Sequence, residues 1–137
     1  MNHEQIALVQ STWAKVRPIS NTAAKLFYER LFALDPSVRP LFKSPIEAQG
    51  AKLVRLIDVA VSGLSRVEAL APVLRDLGNR HVGYGVEDHH YDTVGAALLW
   101  TLEQGLGTDF TPQVRAAWSE AYGLLSGTMR TPTAEAA

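Results

Sequence analysis

The sequence contains no cysteine. That absence excludes disulfide bridges, iron–sulfur clusters, zinc sites built on cysteine and the Cys-x-x-Cys-His attachment of haem. The chain also lacks any run of about 18 consecutive apolar residues, and it begins without a cationic segment followed by an apolar run. We therefore expect a cytoplasmic protein without a membrane span, and any cofactor in it must be held without thioether links.

Charge of one sign is also scarce, because the net charge is only −1. Without a basic excess, nothing indicates a nucleic-acid partner. The sequence also lacks the Gly-x-x-x-x-Gly-Lys, Gly-x-Gly-x-x-Gly and Gly-x-Ser-x-Gly motifs of phosphate binding, dinucleotide binding and acyl transfer. A hydrolase or NTPase function therefore has no residues to support it.

The sequence does contain a series of helical signals. Its 137 residues suffice for one domain, which we place at residues 1–130, with residues 131–137 as a disordered tail. Helix starts are predicted by a capping box of Asn2 and Gln5, by Ser20, by Asp35 with Pro36, by Ser44 with Pro45, and by Thr111 with Pro112. Pro18 ends the first helix, a long one runs from Pro45 to about Gly63, and others cover about 67–82, 91–105 and 112–129. No strand pair is indicated, so we predict an all-α domain of six to eight helices.

Polar residues interrupt the apolar faces of two of these helices. Gln49 stands in the stripe that continues with Leu53, and His81 continues a stripe that includes Leu77. Tyr28 adjoins a third stripe. Taken singly, these are a boundary glutamine, a core histidine with an ordinary partner and a packed tyrosine. Together they suit a flat, apolar cofactor lined by a few placed donors, such as a porphyrin. One ring nitrogen of His81 would face it, while the other would donate to the carbonyl of Leu77.

A competing hypothesis is a zinc site of His81, His89 and His90. Adjacent residues on a helix diverge by about 100°, so His89 and His90 are not expected to share a face. No His-Glu-x-x-His spacing supports the site either. We expect His89 and His90 to be solvated or capping at a helix start, and His3 to lie in a fraying terminus.

Four segments carry a resemblance to a known family. In their order and spacing they resemble the globins, specifically the bacterial single-domain haemoglobins related to the haemoglobin domain of flavohaemoglobins, and they are also similar to neuroglobins. The segments are LFYERLFALDPSVRPLF (26–42), QGAKLVRLIDVAV (49–61), LGNRHVGYGVEDHHYDTVGAALLWTLEQGLG (77–107) and FTPQVRAAWSEAYG (110–123). The resemblance implies a globin fold around a non-covalent haem b.

The resemblance also implies roles for residues on the proximal side of the haem. His81 matches the proximal histidine that coordinates the haem iron. Tyr91 matches the tyrosine that approaches the proximal imidazole, and Val86 and Val94 match positions that line the pocket.

On the distal side, the resemblance assigns residues that contact the haem and its ligand. Phe42 matches the phenylalanine that wedges against the porphyrin, and Lys52 falls where a lysine reaches a haem propionate. Gln49 takes the position often held by a distal histidine, Leu53 is the apolar residue over the iron, and Tyr28 matches the distal tyrosine of flavohaemoglobins. We therefore expect binding of O2, NO and CO, with bound O2 stabilised by Tyr28 and Gln49.

Two departures from the family pattern bear on activity. Flavohaemoglobins carry a glutamate in the last helix that completes a proximal His–Glu–Tyr cluster, and the corresponding position here is Thr133. We also expect no flavin or NAD domain after residue 123, so that multiple turnovers would need an outside reductant. Three hypotheses follow: gas binding or oxygen transport, nitric oxide dioxygenation with an external reductase, and redox signalling with the Tyr28 phenolate on ferric iron.

Overall fold

The computed structural model describes residues 1–42, 45–83 and 88–130. Within these ranges the chain forms six α-helices and no strand, which confirms the all-α prediction. The helices are α1 (His3–Val16), α2 (Ser20–Leu34), α3 (Ile46–Ser62), α4 (Val67–Gly83), α5 (Asp88–Leu106) and α6 (Pro112–Arg130). Short 3-10 helices cover Arg17–Ile19, Pro36–Leu41, Leu64–Arg66 and Gly107–Asp109. None of the helices described is both long and apolar enough to span a bilayer.

Several helix ends form as the sequence predicts. The Asn2 side chain accepts a hydrogen bond from the Gln5 backbone N–H at 2.8 Å, and the Gln5 side chain accepts one from the Asn2 N–H at 3.1 Å. This reciprocal capping box satisfies two N–H groups at the start of α1. Asp35 accepts from the Ser37 N–H at 3.0 Å and so caps the 3-10 helix that follows α2.

One predicted cap and one predicted helix start are wrong. Ser20 is the first residue of α2 and does not cap it; the N-cap is Ile19, without a side-chain hydrogen bond. The 3-10 turn Arg17–Ile19 runs directly into α2, so the backbone at Ser20 is already helical and its side chain has no capping geometry. Helix α5 starts at Asp88, before the predicted residue 91. The predicted cap at Ser44 lies outside the described residues.

A buried hydrogen bond joins the first and last helices. The Trp118 indole N–H donates to the Thr12 hydroxyl at 2.8 Å, and that hydroxyl donates to the carbonyl of Leu8 at 2.6 Å. The ring of Trp118 also packs edge-to-face on Trp13, with ring centroids 6.3 Å apart. Because both polar groups are paired, α1 and α6 bury this contact without leaving a donor unsatisfied.

Helices α3 and α4 are each held by a different neighbour. Helix α3 packs on α2, where the Cβ of Ala24 lies 3.2 Å from the position that a Cβ on Gly50 would take. Helix α4 packs on α6, and a Cβ on Gly78 would overlap the backbone carbonyl of Met129. In the described part of the chain, α3 and α4 make no extensive contact with each other. Each of the two helices therefore packs mainly on a different neighbour.

Replacing Thr12 by valine removes the oxygen that accepts from Trp118. The buried indole N–H then loses its partner, so we expect the free energy of unfolding to fall by about 1–3 kcal/mol. Chemical denaturation of the purified protein measures the change. Ser11→Ala is the matched control because the Ser11 hydroxyl is exposed, and it should stay within about 0.5 kcal/mol of wild type. An equal loss in both variants would contradict the role assigned to Thr12.

Candidate functional site

Tyr28 lies at the centre of an aromatic cluster between α2 and the 3-10 helix that follows it. Its side chain on α2 is buried, and its ring packs edge-to-face on Phe27 at 5.1 Å and on Phe42 at 5.4 Å between ring centroids. Phe42 stands at the end of that 3-10 helix and also contacts Phe32 at 5.6 Å. The cluster presents one polar atom, the Tyr28 hydroxyl, within an apolar wall.

Helix α3 brings Gln49 and Leu53 to this cluster. The Tyr28 hydroxyl donates to the main-chain carbonyl of Gln49 at 3.4 Å, and Leu53 packs against the buried residues around Tyr28. The close approach of Gly50 to Ala24 lets α3 come near enough to α2 for these contacts. Both Gln49 and Leu53 are half-buried. The structure therefore brings Tyr28, Phe42, Gln49 and Leu53 close together, whereas no hydrogen bond or ion pair among the described residues joins Lys52 to them.

Burial makes the Tyr28 hydroxyl harder to ionise. Desolvation raises the pKa of the Tyr28 hydroxyl from 10.0 to about 12, because the phenolate would lose its hydration. The hydroxyl is therefore a neutral hydrogen-bond donor at physiological pH.

His81 lies near the carboxyl end of α4 and is half-buried. Its Nδ1 lies 2.7 Å from the carbonyl oxygen of Leu77, one turn back, as the sequence predicts. A carbonyl oxygen only accepts, so Nδ1 carries a proton, and in the neutral ring Nε2 holds the lone pair. This arrangement orients the imidazole and gives it the tautomer that binds a metal through Nε2.

Tyr91 on α5 stacks on His81, with ring centroids 6.4 Å apart and an interplanar angle of 28°. The Tyr122 hydroxyl on α6 donates to the Tyr91 carbonyl at 2.6 Å. A Cβ on Gly95 would lie 2.8 Å from the Tyr122 ring, so glycine makes room for that ring. Sequence reasoning missed Tyr122 and Gly95. A glycine inside a predicted helix was the available signal, because it costs about 1 kcal/mol relative to alanine.

Of the remaining predicted site residues, the structure describes Val94 and Lys52 but not Val86. Val94 packs against the cluster around Tyr28 and lies one helical turn from Tyr91, so α5 joins the distal and proximal groups. Lys52 is exposed on α3, so its side chain is accessible from solvent. Val86 and Thr133 lie outside the described residues, and the roles inferred for those positions stay predictions.

His89 and His90 do not point apart, so the expectation that they would is wrong. Their ring centroids are 4.2 Å apart, and both Nε2 atoms face Asp35, at 3.9 and 4.0 Å from its Oδ2. The 100° separation describes only the Cα–Cβ directions, and rotation about χ1 and χ2 lets two neighbouring imidazoles converge. His90 is also buried rather than solvated. Asp35, not His81, is the third member of the cluster that the described residues form.

The sequence is similar to known proteins over most of its length. A family model described as Globin matches residues 25–129. The chain is 25% identical over 129 residues to the flavohemoprotein of Bacillus subtilis (strain 168). The aligned region covers 92% of this chain and 32% of that protein. The chain is 29% identical over 128 residues to the flavohemoprotein of Xylella fastidiosa (strain Temecula1 / ATCC 700964), covering 91% and 32%. A Rhizobium meliloti (strain 1021) flavohemoprotein is 30% identical over 103 residues, covering 73% and 26%. The chain thus spans about a third or less of the length of these relatives.

The burial of Tyr28 should make the protein less stable in strong alkali. The unfolded phenol ionises near pH 10.0 and the folded one near about 12. Between these values the unfolded state has lost a proton that the folded state retains, so rising pH favours unfolding. The free energy of unfolding should fall by roughly 2 kcal/mol across this window. Tyr28→Phe lacks the group, so its stability, followed by circular dichroism, should decline less steeply. Parallel curves for the two proteins would contradict the raised pKa.

Proposed function

The chain belongs to the globin family, and we propose that it forms one globin domain over residues 1–130 that binds haem b non-covalently. In this proposal His81 is the iron ligand, and O2, NO and CO are the ligands on the opposite side. Haem, when bound, supplies an iron that accepts an imidazole on one face and a diatomic gas on the other. The hydrogen bond from His81 Nδ1 to the Leu77 carbonyl is the observation that carries the proposal.

The residues on the proximal side fit this cofactor. The hydrogen bond to the Leu77 carbonyl occupies Nδ1 of His81, so Nε2 is the nitrogen that would coordinate the metal. The ring of Tyr91 lies beside the same imidazole, with ring centroids 6.4 Å apart. Tyr122 in turn holds the backbone of Tyr91. We propose that this chain of contacts orients the His81 imidazole, a role that an acidic side chain from the last helix would otherwise have.

The distal residues also fit a flat apolar group. Phe42, Leu53 and Val94 supply apolar surface around Tyr28. Helices α3 and α4 carry the two sides of the site, and they make no extensive contact with each other in the described residues. A planar cofactor between α3 and α4 is therefore compatible with the packing of both helices on their other neighbours. Lys52 is exposed on α3, and in this proposal it supplies the cation that a haem propionate would need.

Tyr28 and Gln49 provide selectivity among the gases. The neutral Tyr28 hydroxyl is a hydrogen-bond donor. Among the described residues its acceptor is the Gln49 carbonyl, and that hydrogen bond is long. A donor to a charged group contributes about 1.5–3 kcal/mol. Such donors favour a gas that takes on negative charge, as O2 does, over a less polarised one such as CO. We therefore propose that O2 leaves slowly.

A second candidate function is nitric oxide dioxygenation supported by an external reductase. The similarity to three flavohemoproteins favours it, although the chain matches only part of each. Nitrate formed from NO by the oxygenated protein, with and without a flavin reductase, separates the two functions. Many nitrate molecules per haem with the reductase indicate an enzyme, whereas a single equivalent in both cases indicates a gas-binding protein.

Haem binding should depend on His81. In His81→Ala, the intense near-ultraviolet absorption of the haem protein should be lost or strongly altered, because the iron has no imidazole ligand from α4. Absorption spectra after reconstitution with haem measure this effect, and far-ultraviolet circular dichroism checks the fold. His3→Ala removes an exposed histidine of α1 and should bind haem as the wild type does. Identical spectra in the wild type and His81→Ala would refute His81 as the ligand.

Removing the Tyr28 hydroxyl should accelerate the release of O2. Loss of one hydrogen bond to a charged group predicts a roughly tenfold to hundredfold faster O2 dissociation in Tyr28→Phe, with a smaller change for CO. Stopped-flow replacement of one gas by the other measures both rates. Ser11→Ala removes an exposed hydroxyl on α1, away from the proposed site, and it should leave O2 release unchanged. Equal effects on O2 and CO would argue against a hydrogen bond from Tyr28.

A further inference from the structure

Three side chains converge at the place where the end of α2 meets the start of α5. We call Asp35, His89 and His90 the carboxylate–imidazole cluster. Asp35 Oδ2 lies 3.9 Å from His89 Nε2 and 4.0 Å from His90 Nε2. One ligand atom from each residue lies within 4.8 Å of those of the other two. The cluster involves neither His81 nor any residue of the proposed haem site.

Local structure holds the Asp35 carboxylate in place. Its Oδ1 accepts from the Ser37 backbone N–H at 3.0 Å and from the Ser37 hydroxyl at 2.5 Å. Oδ2 is the oxygen that faces the two imidazoles. The hydrogen bond from the Ser37 side chain is the main reason that the pKa of Asp35 lies below its ordinary value. The carboxylate is therefore ionised at neutral pH and oriented by a partner of its own.

The geometry points to a site for a divalent transition metal, with Zn²⁺ the best fit, bound by Asp35 and by one ring nitrogen each of His89 and His90. Two imidazoles and one carboxylate are a ligand set that zinc accepts, with a water in the fourth position. Zinc lies about 2.0–2.2 Å from such ligands, so the three atoms have to approach one another. Rotation of the exposed His89 side chain provides most of that movement.

Burial and electrostatics of the cluster suit a partly open site. The side chains of His90 and Asp35 are 11% and 21% exposed, whereas that of His89 is 58% exposed, so an ion enters from the His89 side. The amino end of α5 carries partial positive charge, which opposes a cation. The carboxyl end of α2, which Asp35 caps, carries partial negative charge and offsets it.

The imidazole pair also determines which ions the cluster selects. Mg²⁺ and Ca²⁺ prefer oxygen ligands, of which the cluster offers one residue. Zinc, copper and nickel accept imidazole nitrogen. A metal bound here would connect α2, which carries Tyr28, to α5, which carries Tyr91. It would therefore stabilise the folded protein through the contact between these two helices.

Isothermal titration of the purified full-length chain with Zn²⁺ tests the site. We expect one equivalent to bind, and Asp35→Asn or His89→Ala to weaken its binding by at least roughly tenfold. Asparagine keeps an oxygen that accepts from Ser37, so the cap survives, and His89 is exposed, so both variants should fold. His3→Ala, which removes an exposed histidine elsewhere, should bind zinc as the wild type does.

Thermal unfolding provides a second readout. The Tm of the wild type should rise with Zn²⁺ and not with Mg²⁺, and Asp35→Asn should show no rise. Circular dichroism of each variant without metal confirms that it is folded. The proposal is overturned if the wild type binds no zinc, or if Asp35→Asn and His89→Ala bind it as tightly as the wild type. None of these outcomes depends on whether the protein holds haem.

Discussion

The separate anchoring of α3 and α4 is the constraint on which the proposed site depends. Gly50 lets α3 approach α2 at Ala24, and Gly78 lets α4 approach the backbone of α6 at Met129. Each helix thus satisfies its packing against a different neighbour, and the described residues of the two do not pack extensively on each other. The helix that contacts the aromatic cluster around Tyr28 and the helix that carries His81 are therefore held in place by different neighbours.

Local periodicity was sufficient to predict the helices and two of the polar residues in the site. Gln49 and His81 each break an apolar stripe, and such a break is visible within a few turns of one helix. The contact of His81 with Leu77 was predictable because it spans one turn of the same helix. Ser20 shows the limit of this reasoning, because its role depended on whether the preceding 3-10 turn ran into α2.

Contacts between distant segments could not be predicted in this way. Tyr122 reaches the backbone of Tyr91 from another helix, and no spacing within α6 indicates that partner. The same limit applies to Asp35 and the two neighbouring histidines. Their convergence depends on where α2 ends in space relative to the start of α5 and on side-chain rotation. A rule about directions around one helix contains neither quantity.

In the proposed function, His81 is the residue that connects the fold to its chemistry. Its imidazole is oriented by the Leu77 carbonyl of α4 and has the ring of Tyr91 beside it. Resonance Raman spectroscopy of the ferrous, ligand-free haem protein tests this claim most directly. We expect an iron–imidazole stretching band that disappears in His81→Ala and returns when free imidazole is added. A wild-type spectrum without that band, or a band that persists in His81→Ala, would contradict it.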